Sequence, residues 1–336
     1  MMKEYRVAIL GATGAVGREM MRVLEERQFP LSELRLLASA RSAGSRLPFR
    51  GEELVLEQAT PQSFAGCDIV LGAAENDVAT ELLPHAVAQG AVVIDNSSAY
   101  RLDPEVPLVV PEVNPQDIAW HKGLISNPNC TTIITATAVA AIHRLSPIVK
   151  MTASTYQAVS GAGVGGMREL EQQVEALSKG EPVICSTFPY QIAYNLIPQI
   201  GSFDAQGYSS EEMKLQNEGR KILHADSLLV TCTCVRVPVM RSHSVSVSLE
   251  TEAPLSLEQV RQAIAHSPGC LLVDDPANKR YPMPLDTSDQ DLVYVGRIRR
   301  DLTSQTGGIA LWCCGDQIRK GAATNAVQIA QLLIAQ

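Results

Sequence analysis

Hydrophobic and polar positions change their rhythm partway along the chain. Tyr5–Leu10 reads as a buried strand, and a glycine-rich turn, GATGAVG, follows from Gly11 to Gly17. Val16–Glu26 then carries apolar residues at helical spacing. Further strands are expected at Leu34–Ser39, Cys67–Ala74 and Ala91–Asn96, with a helix over Asp77–Ala88 between the last two. Strands alternating with helices predict a Rossmann-like α/β unit, a parallel sheet wrapped by helices.

After about residue 130 the strand-like runs lengthen and alternate with a period of two. Met151–Ser160, Ser227–Val239 and His243–Glu250 are such runs, and helices are expected at Gly166–Ser178, Ser210–Leu223 and Leu257–His266. This predicts an α+β domain with a mostly antiparallel sheet. A strong helical pattern over Arg319–Gln336 closes the chain and is expected to return to the first domain. The division expected is therefore 1–130 with 318–336 as a dinucleotide-binding domain, and 131–317 as a second domain.

Composition narrows the classes. A chain of 336 residues exceeds one usual core, which favours two domains. A net charge of −8 without any basic run argues against a nucleic-acid partner. No apolar segment is long enough for a membrane span, and the first apolar run is too short for a signal peptide, so a cytoplasmic location is expected. There the eight cysteines would be thiols. Cys232 and Cys234 should share a strand face, Cys313 and Cys314 are adjacent, and no CxxC pair occurs, so no metal site is expected.

The glycine turn is a GxxGxxG variant of the dinucleotide fingerprint, in which backbone N–H groups at a helix N-terminus meet a pyrophosphate. The second strand ends in ASARSAGS, with no carboxylate for ribose hydroxyls. Ser39, Arg41 and Ser42 offer a cation and hydroxyl donors instead, which suit the 2′-phosphate of NADP(H). In SNPNC, Pro128 keeps Asn127 out of a helix, so a helix beginning after Asn129 puts Cys130 in its first turn. Helix N-termini favour thiolates, and a thiolate beside a nicotinamide suits thioester and thiohemiacetal chemistry. A small buried cysteine is the other reading of that position. Of the six histidines, His243 is the best acid/base candidate, on the apolar face of its strand with Val245, Val247 and Leu249; a satisfied core histidine is the commoner case. Arg236, in an otherwise apolar strand, must find an anion.

With these residues in view, the chain resembles the bacterial aspartate-β-semialdehyde dehydrogenase family from about Tyr5 to Leu333. The motifs carrying the resemblance are GATGAVG, ASARSAG, VIDNSSAYRLDPEVPLVVPEVNP, SNPNCTTI, TYQAVSGAG, EEMKLQNEGRKIL, RVPVMRSH, VGRIRRDL and IRKGAATNAVQIA. The resemblance implies reductive dephosphorylation of L-aspartyl-4-phosphate to L-aspartate-4-semialdehyde, feeding lysine, threonine, methionine and diaminopimelate synthesis, in a homodimer formed by the second, catalytic domain. It implies Cys130 as nucleophile, Gln157 as a positioner of the acyl group and His243 as acid/base. Arg236 would grip the substrate α-carboxylate, and Glu211 would meet its amino group. Arg101 and Lys214 would bind phosphate, and Asn129 sits beside the nucleophile. Gly11, Thr13, Gly14, Ala15, Val16, Ser39, Arg41 and Ser42 would hold the cofactor, with Ser160, Gly161 and Gln317 toward the nicotinamide. Taken without the resemblance, Glu211 and Lys214 read as a surface ion pair, and Arg101 as a loop salt bridge. Two positions depart from the family pattern: Ala73-Ala74-Glu75-Asn76 replaces a small Ser-Ala-Gly-Gly-like turn, and Asp316-Gln317 replaces Asp-Asn. Alternatives are an N-acetyl-γ-glutamyl-phosphate reductase-like enzyme and a non-catalytic paralogue with a binding or regulatory role.

Overall fold

The computed structural model describes residues 3–335 and divides into two compact units. The first comprises the chain up to Asn129 together with Ala322 onward; the second is Cys130–Gly321.

In the first unit, strands β1 (Tyr5–Leu10), β2 (Leu31–Ala38), β3 (Arg46–Phe49), β4 (Glu52–Gln58), β5 (Ile69–Gly72), β6 (Val92–Asp95) and β7 (Leu124–Ser126) form one sheet. Its order is β3-β4-β2-β1-β5-β6-β7, parallel throughout except for the β3–β4 hairpin at one edge. Helix α1 (Ala15–Glu26) follows β1, and α2 (Asn76–Ala88) follows β5. Ile9, Leu36 and Leu71 point into an apolar cluster with Met20 and Leu24 of α1; Leu10, Val70 and Val93 enter another with Leu82 and Leu83 of α2. Buried residues on both sheet faces explain why β1 and β5 read as continuous apolar runs rather than alternating ones.

The chain leaves β1 to build one half of the sheet and returns through β5 to build the other. That makes the β1–β5 boundary the switch point, where open α/β sheets bind ligands. Gly11 lies there with φ +88°, and a Cβ on it would stand 2.5 Å from the Ala73 carbonyl oxygen. Only glycine fits both the left-handed backbone and the close approach.

The second unit opens with α3 (Cys130–Leu145). Strands β8 (Ile148–Gln157), β9 (Leu229–Arg236), β10 (His243–Thr251), β11 (Cys270–Leu272), β12 (Val293–Arg300) and β13 (Ile309–Gly315) form its sheet, in the order β11-β12-β13-β10-β8-β9. The three inner pairings are antiparallel and the two outer ones parallel. Helices α4 (Gly163–Lys179), α5 (Ser210–Leu223) and α6 (Leu257–Ala265) and the single turn α7 (Pro284–Thr287) complete it. Strands β8, β9 and β10 alternate buried and accessible positions along most of their length, as the period-two pattern requires. Cys232 and Cys234 share a buried face, with sulfurs 3.7 Å apart.

Helix α8 (Thr324–Ile334) closes the chain and packs Ala326, Val327 and Ala330 into the core around Ile9. It starts later than its sequence pattern suggests, because Arg319–Ala323 forms a π-turn first; Gln336 lies outside the described residues. Cys130 and residues 318–321, expected with the first domain, group with the second. The Gly321 N–H donates to the Asp316 carbonyl, and Gly321 rests on Cys130 at the start of α3. No described helix is long and apolar enough to cross a membrane.

Candidate active site

The register of the second sheet assembles the catalytic candidates. Gln157 ends β8 and pairs with Arg236, which ends β9; His243 begins the antiparallel β10, whose Ser244 pairs with Tyr156. Each strand's buried face carries apolar or small residues until this edge, then a polar one: Met151, Ala153 and Thr155 before Gln157, Cys232 and Cys234 before Arg236, Val245 and Val247 after His243. Three residues distant in sequence thus meet at one sheet end.

His243 is fully buried. The Ala158 N–H donates to its Nδ1 over 3.1 Å. A backbone N–H can only donate, so Nδ1 holds no proton and the neutral ring carries its proton on Nε2. Desolvation, with the nearby Arg236 charge adding to it, pushes the His243 pKa down to about 3. The resting ring is therefore a neutral imidazole with its Nε2–H beside the Gln157 amide nitrogen, 3.4 Å away. It can donate a hydrogen bond to an anion but holds no spare proton at neutral pH.

Arg236 is 6% exposed, and its Nη1 donates to the Ala158 carbonyl at 2.7 Å. Among the described residues no carboxylate lies within ion-pair distance of it. Burial depresses its pKa; the fields of Glu211 and Cys130 oppose that. A buried guanidinium without a bonded anion is costly, and an incoming carboxylate relieves that cost. Gly161 crosses directly over this pair: a Cβ there would stand 2.7 Å from Arg236 Nη1 and 3.2 Å from His243 Cε1.

Glu211 and Lys214 lie in the first part of α5, whose N-terminus is fixed by a Ser209/Glu212 capping box. They form an ion pair at 2.9 Å, with Glu211 buried. The Glu211 carboxylate also accepts from Gln157 Nε2 at 3.1 Å, and Gln157 Oε1 accepts from Thr155 Oγ1 at 3.0 Å. Glu211 thus belongs to a buried network beneath the sheet edge rather than to a solvated surface pair.

Cys130 is the first residue of α3, and no acidic residue occupies that first turn to oppose a thiolate. A Cβ on Gly321 would come within 2.9 Å of Cys130 Cβ. Sequence reading gave Gly321 no role; its signal was only the glycine in RKGAA. Gln317 and Ser160, expected near the nicotinamide, bond to each other, and Gln317 Oε1 also accepts the Ser242 N–H at 2.8 Å. Gln317 thereby ties the turn before His243 to the turn after β8.

In the first unit, α1 starts at Ala15 with Gly14 as its N-cap and no side chain capping it. Its leading N–H groups suit the negative charge of a phosphate. Arg41 is exposed and makes no side-chain hydrogen bond or ion pair among the described residues, and no acidic residue stands between Ala38 and Ser45. These features fit the phosphate groups of a nicotinamide dinucleotide. Glu75 is exposed at the N-cap of α2, while Asn76 bonds Ser98 through its side-chain oxygen and nitrogen.

Arg101 is buried, and its guanidinium donates to two backbone carbonyls, Asn127 at 3.0 Å and Asn96 at 2.7 Å. Asn127 in turn bonds Asn96 at 2.7 Å and receives Asn325 at 2.7 Å. These asparagines lock the SNPN segment just before Asn129, which is itself buried. They stood inside the motifs VIDNSSAYRLDPEVPLVVPEVNP, SNPNCTTI and IRKGAATNAVQIA, yet nothing in spacing alone marked them as one cluster.

Known proteins share this fold. Residues 6–121 match the family model described as "Semialdehyde dehydrogenase, NAD binding domain", and residues 139–320 match "Semialdehyde dehydrogenase, dimerisation domain". The aspartate-semialdehyde dehydrogenase of Synechocystis sp. is 49% identical over 98% of this chain and 97% of its own length. That of Aquifex aeolicus is 48% identical over 98% of each. The crystal structure of aspartate semialdehyde dehydrogenase II from Vibrio cholerae, complexed with ASA, superposes with a TM-score of 0.96 at 43% identity over 99% of both chains. A Candida albicans aspartate semialdehyde dehydrogenase solved with NADP gives 0.77 at 26% identity, over 98% of both.

Proposed function

Because the chain belongs to the aspartate-semialdehyde dehydrogenase family, we propose that its site converts L-aspartyl-4-phosphate to L-aspartate-4-semialdehyde, reversibly, through a thioacyl intermediate on Cys130. The observation that carries the substrate reading is Arg236, a buried guanidinium that donates to the Ala158 carbonyl and has no carboxylate within ion-pair distance among the described residues.

Arg236 takes the α-carboxylate with its planar fork, and Glu211 faces the α-ammonium. Cys130 attacks the acyl carbon as the thiolate that the α3 N-terminus favours; the S–C bond forms and the bond to phosphate oxygen breaks. Arg101 and Lys214 neutralise the departing phosphate. Gly11, Thr13, Gly14, Ala15 and Val16 would hold a nicotinamide dinucleotide, which would supply the two electrons and hydrogen that bring the thioester carbon to the aldehyde level. His243 Nε2–H donates to the oxyanion that develops on that carbon. The oxyanion collapses by breaking the S–C bond, which returns Cys130 to its thiolate. No step requires His243 to give up its ring proton.

Arg41, with Ser39 and Ser42, makes NADP(H) the preferred dinucleotide, since only it carries a 2′-phosphate. The match of the second unit to a dimerisation domain supports a homodimer. A buried carboxylate at Glu211 suits a free ammonium and has no use in a site for an acetylated amine, which separates this reading from the N-acetyl-γ-glutamyl-phosphate one. The test is phosphate-dependent reduction of NADP⁺ by L-aspartate semialdehyde. Activity that Cys130→Ser abolishes, with NADPH still bound, is expected; phosphate-independent activity, or activity surviving in the variant, would refute the proposal.

A further inference from the structure

Between α4 and α5 runs a long irregular segment, and it touches Arg236 at two points. Ile197 pairs with the Arg236 backbone, its N–H donating at 3.0 Å and its carbonyl accepting at 2.8 Å. The Phe188 ring lies under the guanidinium, 5.8 Å from ring centroid to Cζ. Phe188 is buried in a cluster with Val159, Leu170 and Ile192. Its place is set by Glu169 of α4, which is 2% exposed and accepts from the Ser186 N–H (2.9 Å), the Ser186 hydroxyl (3.0 Å) and the Thr187 and Phe188 N–H groups. Burial raises the Glu169 pKa, yet those bonds outweigh it and hold the carboxyl below its usual range. Gln173, one turn on, donates to Glu169 at 3.1 Å and accepts from the Ile192 and Ala193 N–H groups.

A buried carboxylate that draws in consecutive backbone N–H groups fixes a segment which otherwise lacks regular hydrogen bonding. An aromatic face is an electrostatic partner for a cation that needs no carboxylate, so it leaves the arginine's fork open. We infer that Glu169 and Phe188 are positioning residues for substrate recognition: Glu169 seats the 186–188 backbone so that Phe188 holds the Arg236 guanidinium open toward the substrate carboxylate. This rests on the reading of Arg236 given above.

Phe188→Leu keeps apolar bulk and removes the aromatic face; Glu169→Gln keeps shape and removes the charge. Each is expected to raise KM for L-aspartate semialdehyde about tenfold, the scale of a desolvated cation–π contact, with kcat and the KM values for phosphate and NADP⁺ within about twofold. The pair combined should cost no more than about the larger single effect, because both act through one contact. The same assays on 3-aminopropanal, which lacks the carboxylate, discriminate positioning from plain scaffolding. There each variant should match the wild type in kcat/KM. An equal loss on both aldehydes, or no loss on either, would overturn the inference. Calorimetric titration of L-aspartate semialdehyde into Cys130→Ser with each change added reads affinity without turnover, and unchanged affinity would overturn it as well. A wild type inactive on L-aspartate semialdehyde would instead refute the substrate reading.

Discussion

At the scale of single residues the site is governed by what burial does to charge. His243 is held neutral by desolvation and by Arg236, with its remaining proton directed from Nε2 by one backbone N–H. Replacing it by Ala removes an oxyanion donor, and kcat is expected to fall about 10²–10³-fold in steady-state assays. The same group links stability to pH. The unfolded imidazole titrates near 6.5 and the folded one at about 3, so between these values the unfolded chain binds the extra proton. Stability therefore falls as the solution is acidified through that window. His243→Ala lacks this contribution, so by pH 4.5 the wild type should have lost about 2–3 kcal/mol relative to the variant in denaturant titrations, and parallel curves would contradict the assignment. The sequence named His243 and placed it on a buried strand face. It could not give the tautomer, which depends on Ala158, a residue distant in sequence.

Elements explain how local rules become a site. Helix α3 starts where Pro128 allows, and Cys130 takes its first position, as the SNPNC pattern implied. What the pattern could not carry is Gly321, far along the chain, whose missing side chain leaves room for Cys130. Gly321→Ala should push the nucleophile out of line and lower kcat about 10²-fold while NADPH affinity, measured by fluorescence titration, stays unchanged. Strands were legible because β8, β9 and β10 alternate cleanly; their ends were overestimated where Val159–Ala162 turns into a 3₁₀ helix and where the chain leaves β9 after Arg236. At the end of β2, Arg41→Ala should weaken NADPH about tenfold and leave NADH unaffected in the same titration. Equal weakening of both would make Arg41 structural.

For the molecule as a whole, the division of labour is sharper than composition suggested. The first unit offers a glycine switch point and an uncapped helix N-terminus; the second offers a cysteine at a helix start, and an imidazole and a buried arginine at one sheet end. Both architectures were readable from the change in hydrophobic period, since parallel and antiparallel sheets bury their strands differently. The buried asparagines and the Glu169–Phe188 support were not, because their partners are set by three-dimensional packing alone. The central claim is covalent: Cys130 carries the acyl group. The most direct measurement mixes L-aspartate semialdehyde with excess NADP⁺ rapidly, without phosphate, and follows NADPH. A burst of at most one NADPH per chain, then continuous turnover when phosphate is added, is the expected result. Steady turnover without phosphate, or a burst that persists in Cys130→Ser, would contradict it.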